Sequence, residues 1–278
     1  MHVALSISES AAVPASRLIL FLIYYIISAS GTEARMTLDL VGPMPPRDPK
    51  NRTKTVAQMR FASCRAGFEG LGLAERFDLI HRSNLWASEE TVSGVGSELE
   101  ATEALRRALP SLFRRYRVRS ILDAACGDFR WMSQMDLSGM DYIGADIVTA
   151  MVDANASKYS GHNHIRFVHL DLLRDRLPSA DLILCRDCLV HLSFAKVRSA
   201  LHRFARSRGD YLLATTFPGI QQNDDIEDGD WRPINLEKAP FDLPPPIELI
   251  VEGCSEAAGD YSDKALGLWS IATFADYR

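Results

Sequence analysis

The stretch ILDAACGDFRW, residues 121–131, decides how the chain folds. An apolar run ends at Asp123 and a turn around Gly127 follows, which predicts a buried strand, a tight turn and a helix. Turns that hold a dinucleotide usually carry two or three glycines, because a pyrophosphate must lie against bare backbone. Here Asp128 would repel a pyrophosphate, and Phe129 fills the space that a glycine would leave. The turn therefore predicts a cationic ligand without phosphate, for which one glycine suffices.

The rest of the chain after this stretch alternates between apolar strand patterns and helical patterns. Five apolar runs separated by helical patterns, of which residues 193–207 are the clearest, predict a parallel sheet covered on both faces. Two further runs are joined by a connection too short for a helical crossover, so we expect them to pair antiparallel at the end of the sheet. The predicted fold is α/β, a Rossmann-like, seven-stranded, mostly parallel sheet with a terminal antiparallel strand. The predicted strands are 118–124, 141–147, 165–171, 180–187, 210–217, 246–252 and 266–274.

Composition limits the kinds of partner. The chain has 278 residues, 24% of them charged, and a formal net charge of −5, which argues against a protein that grips nucleic acid through its phosphates. Its five cysteines are an odd number without framework spacing, which favours a reducing compartment. Cys185 and Cys188 form a lone C-x-x-C pair, for which apolar packing at a strand end and a metal or redox role are the alternatives.

The region before the sheet divides into three parts. Residues 1–35 contain a short apolar run that suits a hydrophobic leader, or a start of translation annotated too early; a membrane tether is the less favoured alternative. Residues 36–58 are rich in proline and charge, as in a linker. The catalytic domain is expected over 59–278, with 59–96 as a helical lid. Ser97 and Glu100 predict a capping box for a helix that Pro110 closes.

Four motifs carry a resemblance to a known family. NLWASEETVSGVGS, LDAACGDFRWM, CRDCLVHLS and GDWRPINLEKAPF resemble a small-methyltransferase subgroup of the class I S-adenosylmethionine-dependent methyltransferases, and the likeness covers about residues 97–278. The resemblance implies S-adenosylmethionine as cofactor, with an ammonium group and a sulfonium that suit the acidic turn. Its implied cofactor-binding residues are Trp86, Ser93, Gly94, Asp123, Ala125, Cys126, Gly127, Asp128, Asp146, Ile147, Asp171, Leu172 and Arg186.

For three of these acids the sequence leaves two roles open, one in binding the cofactor and one in supporting the local structure. Asp146 ends the second strand, where a carboxylate can accept both ribose hydroxyls, or can cap the helix that follows. Asp171 is implied at the adenine amino group with the Leu172 backbone beside it, or serves as a turn residue. Asp123 orients the turn and meets the ammonium group, or supports the turn alone.

The small-residue loop before the first strand, with Trp86, Ser93 and Gly94, is expected to fold over the cofactor as a lid; a surface linker held by a core tryptophan is the alternative. Arg186 contacts the cofactor or pairs with an acid.

Candidate catalytic residues follow the fourth strand, where the transferred methyl group should emerge. His191 can deprotonate a hydroxyl or an amine near neutral pH, or can pack beneath the site. Asp187 can partner the base, orient the substrate or cap a helix. A magnesium site joining Asp187 to Asp224 or Asp225, as in the catechol-type methyltransferases, is a weaker alternative, so no metal is expected.

The long segment 219–246 is expected to shape the acceptor pocket. Asn223, Asp230, Trp231 and Arg232 are the candidates for acceptor recognition, against an acidic loop anchored by the tryptophan; Trp131 is a further candidate that also suits the core.

The expected activity is methyl transfer to a small polar or glycan-like acceptor, with oxygen as the expected acceptor atom. A catalytically silent cofactor-binding protein and an NAD(P)-dependent oxidoreductase are the alternatives. Because S-adenosylmethionine is made in the cytosol, a cytoplasmic enzyme is expected.

Overall fold

The computed structural model describes residues 51–277, and these form one seven-stranded sheet with helices around it. In chain order the strands are β1 (Ser120–Ala124), β2 (Asp141–Asp146), β3 (Ile165–His169), β4 (Leu182–Cys185), β5 (Tyr211–Thr216), β6 (Glu248–Val251) and β7 (Ala265–Ser270). The α-helices of eight residues or more are α1 (Val56–Cys64), α2 (Leu73–Arg82), α3 (Glu103–Arg115), α4 (Thr149–Lys158) and α5 (Phe194–Ala205).

The sheet has the order β3-β2-β1-β4-β5-β7-β6. The first five strands in this order pair in parallel, and β7 pairs antiparallel with both β5 and β6. This confirms the predicted mostly parallel sheet and its antiparallel end, with β7 inserted between β5 and the edge strand β6. The strand order reverses between β1 and β4, and in open α/β sheets the crevice beyond this point is where ligands bind.

Each face of the sheet packs against a helix. On one face the buried side of α5, including Leu201 and Phe204, packs with Leu122 of β1 and Ile183 of β4. On the other face the buried residues of α3 pack with the alternate strand residues, such as Ile121. Because successive strand residues point to opposite faces, the unbroken apolar runs of the sequence serve two cores at once.

The connection from β1 to β2 contains a 3-10 turn, Met132–Gln134, where the sequence predicted an α-helix, so that prediction was wrong. Phe129 explains the difference: its backbone has φ 58° and its buried ring packs against Tyr142, Tyr159 and Phe167. A left-handed backbone does not propagate a right-handed helix, and the aromatic cluster outweighs the local preference.

The helix predicted to start at Ser97 and stop at Pro110 is displaced in the structure. Thr102 is its N-cap residue, and α3 runs through Pro110 to Arg115. The buried stripe that includes Leu105, Leu109 and Leu112 continues on both sides of the proline. Tertiary packing of this stripe therefore outweighs the loss of one backbone hydrogen bond.

The part of the predicted linker 36–58 that the structure describes is tied to the domain. The α1 helix begins at Val56, and Thr55 forms a capping box with Gln58. Just before it, Arg52 forms a buried ion pair with Asp263. The predicted leader, 1–35, lies outside the described residues. Within residues 51–277, none of the helices has the length and apolar character that a bilayer span requires.

Candidate functional site

A pocket with about 990 Å³ of empty space opens at the carboxyl edge of the sheet. Its walls come from the segments that follow β1, β2, β3 and β4, together with α2 and the loop before α3. The predicted residues that line it are Trp86, Ser93, Asp123, Ala125, Cys126, Gly127, Trp131, Asp146, Ile147, Asp171, Leu172, Arg186, Asp187 and His191. Of the other predicted residues, Gly94 and Trp231 line an adjoining pocket, and Asn223, Asp128, Asp230 and Arg232 line neither.

The turn after β1 is shaped by Gly127. Its φ of 58° is left-handed, and a Cβ there would lie 2.2 Å from the Ser93 hydroxyl oxygen. Glycine is needed both for the conformation and for the close approach of the Ser93 loop. The loop that carries Ser93 therefore packs directly against the turn at Gly127.

Asp128 holds this contact together and does not point into the pocket. Its carboxylate accepts hydrogen bonds from the hydroxyls of Thr91, at 2.7 Å, and Ser93, at 3.2 Å. The Ser93 hydroxyl in turn accepts from the Asp128 backbone N–H at 3.0 Å. The acid predicted to face a cationic ligand thus locks the loop onto the turn.

Asp123 is the acid at the centre of the pocket. It is buried and accepts a 2.6 Å hydrogen bond from the Tyr142 hydroxyl. Burial raises the pKa of Asp123 to about 7, even though the Tyr142 hydrogen bond acts to lower it. A cation placed beside this carboxyl would favour its charged form.

Asp146 closes β2 and shows both roles that the sequence left open. One carboxylate oxygen accepts from the Gly127 N–H and the other from the Val148 N–H, each at 3.0 Å. Each oxygen keeps a further lone pair, so the carboxylate can still accept hydroxyl groups from a ligand. Burial raises the pKa of Asp146, against the backbone hydrogen bonds that lower it. Asp171, after β3, lines the same pocket and accepts from the Leu173 N–H at 2.8 Å.

The α2 helix supplies pocket residues that the sequence analysis missed. Leu73, Phe77 and His81 all line the pocket. Their spacing of four residues places them on one helical face, and this stripe was the signal that could have found them. The Nδ1 atom of His81 is buried without a hydrogen-bond partner within residues 51–277. An unpaired buried polar atom in a pocket wall is what a polar ligand would satisfy.

The pocket composition fits the ligand that the resemblance implies. Three carboxyl groups, on Asp123, Asp146 and Asp171, share it with apolar walls such as Met151 and Leu172. Carboxylates suit an ammonium group and ribose hydroxyls, and apolar side chains suit a purine ring. Residues 51–277 contain no group of His, Cys, Asp and Glu side chains placed to hold a metal ion.

Four charged side chains meet at the end of β4. Arg186 donates to Glu252 at 2.6 Å, and the Lys264 ammonium lies 2.5 Å from the Asp187 carboxylate. Lys264 is also 3.5 Å from Glu252. Burial acts to raise the pKa of Asp187, but the Lys264 and Arg186 cations outweigh it and lower the pKa to about 2. Asp187 is therefore a permanent anion that is already paired. No local pattern pointed to Lys264, because only the antiparallel insertion of β7, which begins at the next residue, brings it to β4.

His191 lies in the wall that the two pockets share. Its Nδ1 lies 2.9 Å from the carbonyl oxygen of Asp230, which can only accept, so Nδ1 carries the proton. Burial lowers the pKa of His191 to about 4, so the ring is neutral at pH 7 and Nε2 holds a lone pair. The ring packs on Trp86 with a centroid distance of 4.7 Å.

The polar residues predicted for acceptor recognition mostly bind backbone. Arg232 is buried and donates to the carbonyls of Leu189 and Leu192, at 2.8 Å each. The Asn223 side chain bonds the backbone of the same insertion, including the Asn235 N–H and carbonyl. The direct substrate contacts predicted for these two residues are not what the structure shows, because buried carbonyl groups claim their donors.

Two of the three carboxylates considered for magnesium have other partners. Asp187 is paired with Lys264, and one Asp225 oxygen accepts the Phe194 N–H at 2.7 Å.

One family model matches part of the chain. Residues 121–208 match the family model described as a methyltransferase domain, and this range carries β1 to α5 and the strand ends that line the pocket. No curated protein matches the chain.

Among solved structures, the bacterial methyltransferase domain of CtHen1-CN is 13% identical over 42% of this chain and 66% of its own, with a TM-score of 0.38. An S-adenosylmethionine-dependent methyltransferase from Clostridium acetobutylicum is 13% identical over 45% of this chain and 56% of its own, with a TM-score of 0.37. PKMT2 from Rickettsia typhi, in complex with AdoHcy, is 16% identical over 37% of this chain and 22% of its own, with a TM-score of 0.31. The chain thus spans less than two thirds of each of these proteins.

Proposed function

We propose that this chain, which belongs to the class I S-adenosylmethionine-dependent methyltransferases, transfers a methyl group to a hydroxyl oxygen of a small polar or glycan-like acceptor. The observation that carries the proposal is His191. Its Nδ1–H is committed to the Asp230 carbonyl, which leaves Nε2 without a proton in a residue that lines both pockets. A neutral imidazole with one free lone pair is what deprotonation of a hydroxyl requires.

When bound, S-adenosylmethionine would supply an electrophilic methyl group, and the sulfur–carbon bond that breaks would leave S-adenosylhomocysteine with an uncharged sulfur. His191 takes the proton of the acceptor hydroxyl at Nε2 as the new oxygen–carbon bond forms, and later releases it to water. The Asp187 carboxylate, which acts to raise the pKa of His191, stabilises the imidazolium. Proton transfer by a positioned side chain contributes about 10²–10⁴-fold to a rate, and holding the reactants in line supplies much of the rest.

Other residues of the pocket would bind the cofactor. Asp146 would accept the ribose hydroxyls and Asp171 would face the adenine amino group, while Asp123 would meet the ammonium group. The lid residue Trp86 and the loop at Ser93 would cover the methionine end, since both line the pocket. We place this activity in the cytosol, where the methyl donor is made.

The experiment is methyl transfer from S-adenosylmethionine tritiated on its methyl group to metabolite and glycan pools, alongside calorimetry with S-adenosylhomocysteine. We expect His191→Gln to lower turnover by about 10²-fold or more and to leave cofactor affinity nearly unchanged. His162→Gln, at an exposed histidine, is the matched control.

Unchanged turnover in His191→Gln would remove His191 from the mechanism. Tight S-adenosylhomocysteine binding without transfer to any pool would point to the silent cofactor-binding protein, and binding of an NAD analogue to the oxidoreductase.

A further inference from the structure

A second pocket adjoins the one at the carboxyl edge of the sheet. The two share Trp86, Ser93, Asp187 and His191. Because the candidate base lies in the shared wall, a group held in the second pocket would lie beside both His191 and the first pocket. In-line methyl transfer needs this arrangement.

The charges around the second pocket are nearly all compensated. The cations Arg186 and Lys264 are paired with the anions Asp187 and Glu252 over distances of 2.5–3.5 Å. Glu256 is different. It lines the second pocket, yet within residues 51–277 its carboxylate forms no ion pair and no side-chain hydrogen bond. Burial raises the pKa of Glu256 and the Asp187 carboxylate adds to this effect, whereas the Lys264 ammonium acts to lower it and favours the charged form.

The backbone beside Glu256 is held in an unusual conformation. Ala257 and Ala258 have φ of 50° and 57°, in the left-handed region that residues with a Cβ avoid at a cost of about 1–2 kcal/mol each. Such strain persists only where surrounding structure imposes it, and it clusters at ligand sites. Here Asp260, two residues after Ala258, accepts the Thr53 N–H at 2.7 Å and anchors the turn.

The remaining walls are aromatic. Trp231 and Tyr261 meet edge to face with ring centroids 4.9 Å apart, and Phe217 packs beneath them. Aromatic side chains offer an apolar body to the CH faces of a ring, whereas a carboxylate accepts hydrogen bonds from hydroxyl groups. The combination suits a hydroxylated ring, and one unpaired carboxyl opposes an acceptor that carries its own negative charge.

We propose that the second pocket is the acceptor subsite and that it binds a hydroxylated ring without anionic groups, such as a neutral glycoside. Glu256 selects this class of acceptor by accepting a hydrogen bond from a hydroxyl group and by repelling carboxylates. This inference rests on the proposed methyl transfer, because the pocket is an acceptor subsite only if a methyl group is transferred there. Binding in the pocket can nevertheless be tested apart from the transfer.

The test uses the full chain saturated with S-adenosylhomocysteine and two matched probes, methyl glucoside and methyl glucuronoside, which differ by one carboxylate. Saturation-transfer NMR titration gives the affinity of each. We expect the wild type to favour the neutral glycoside by at least about tenfold, and Glu256→Gln, which removes the charge and keeps an acceptor, to reduce this ratio below about threefold. Glu256→Ala should weaken the neutral glycoside, and Glu69→Gln, at an exposed glutamate, should match the wild type.

A preference for the glucuronoside, an unchanged ratio in Glu256→Gln, or binding of neither probe would overturn the assignment. Any of these results leaves the proposed methyl transfer standing if the tritium assay still finds an acceptor. Conversely, the expected affinity ratios for the two glycosides without any methyl transfer would support the subsite and contradict the proposed activity.

Discussion

Asp123→Asn should uncouple cofactor binding from pH. In the ligand-free protein burial raises the pKa of Asp123 to about 7, so the carboxyl is half protonated at neutral pH. If the cofactor ammonium binds beside the ionised form, binding must expel a proton below pH 7. The ionised fraction falls about fivefold from pH 7 to pH 6 and about tenfold more to pH 5, so affinity should fall about fiftyfold, or about 2.3 kcal/mol.

The assay is calorimetry with S-adenosylhomocysteine at pH 5, 6 and 7, in two buffers of different ionisation enthalpy. We expect nearly one proton to be released per ligand at pH 6 in the wild type. Asp123→Asn should bind less tightly at pH 7 and lose most of this slope, with a remainder from Asp146, whose pKa burial also raises. Asp128→Asn is the matched control, because Asp128 does not line the pocket and should leave the slope intact.

Stability of the ligand-free protein gives an independent readout of the same carboxyl. A folded-state pKa raised from 3.8 to about 7 means that the folded protein binds the proton more tightly, so the unfolding free energy falls as pH rises through this window. Asp123→Asn keeps an acceptor for Tyr142 and should gain up to about 4 kcal/mol of unfolding free energy above pH 7. A wild-type affinity that is flat from pH 5 to 7, or equal slopes in wild type and Asp123→Asn, would refute the reasoning.

Three further outcomes test the site. Asp146→Ala should lose about 1–3 kcal/mol of S-adenosylhomocysteine binding by calorimetry, because it leaves ribose hydroxyls unpaired; normal binding would contradict this placement. Gly127→Ala should lower the unfolding free energy by about 1–3 kcal/mol in chemical denaturation, because its Cβ would meet Ser93. Adding Ser93→Gly should restore part of that loss, whereas no restoration would place the strain elsewhere. Arg232→Met should reduce the melting temperature markedly while the acceptor preference of the remaining folded enzyme stays that of wild type; a changed preference would restore Arg232 to substrate recognition.

The sheet and the strand-end acids could be predicted from the sequence because they follow from local patterns. Continuous apolar runs such as ILDA must be buried on both faces, and a residue after a parallel strand must lie at the carboxyl edge. Asp123, Asp146 and Asp171 therefore fell into one pocket without knowledge of any packing detail.

The elements that were misplaced depend on contacts distant in sequence. The α3 helix passes through Pro110 because its apolar stripe is buried against the sheet, and no local signal measures that gain. Lys264 reaches Asp187 only through the antiparallel insertion of β7. Asp128 faces Thr91 rather than the pocket because the loop before α3 is seated on Gly127. In each case the sequence shows the residue type but not the distant residues that it contacts.

In the insertion 219–246, which was predicted to shape the acceptor pocket, the backbone makes contacts that the side-chain pattern did not predict. Its polar side chains were predicted to contact the acceptor, yet its backbone contacts His191. The Asp230 carbonyl accepts a hydrogen bond from His191 Nδ1, and the Gly229 N–H donates to the His191 carbonyl at 2.8 Å. Arg232 binds the carbonyls on either side of the same turn. A histidine whose tautomer is fixed by a carbonyl acts as a base only at Nε2, so the direction of proton transfer is set by the path of this loop. The acidic, tryptophan-bearing segment thus positions His191 through backbone groups that every residue carries, which side-chain patterns cannot reveal.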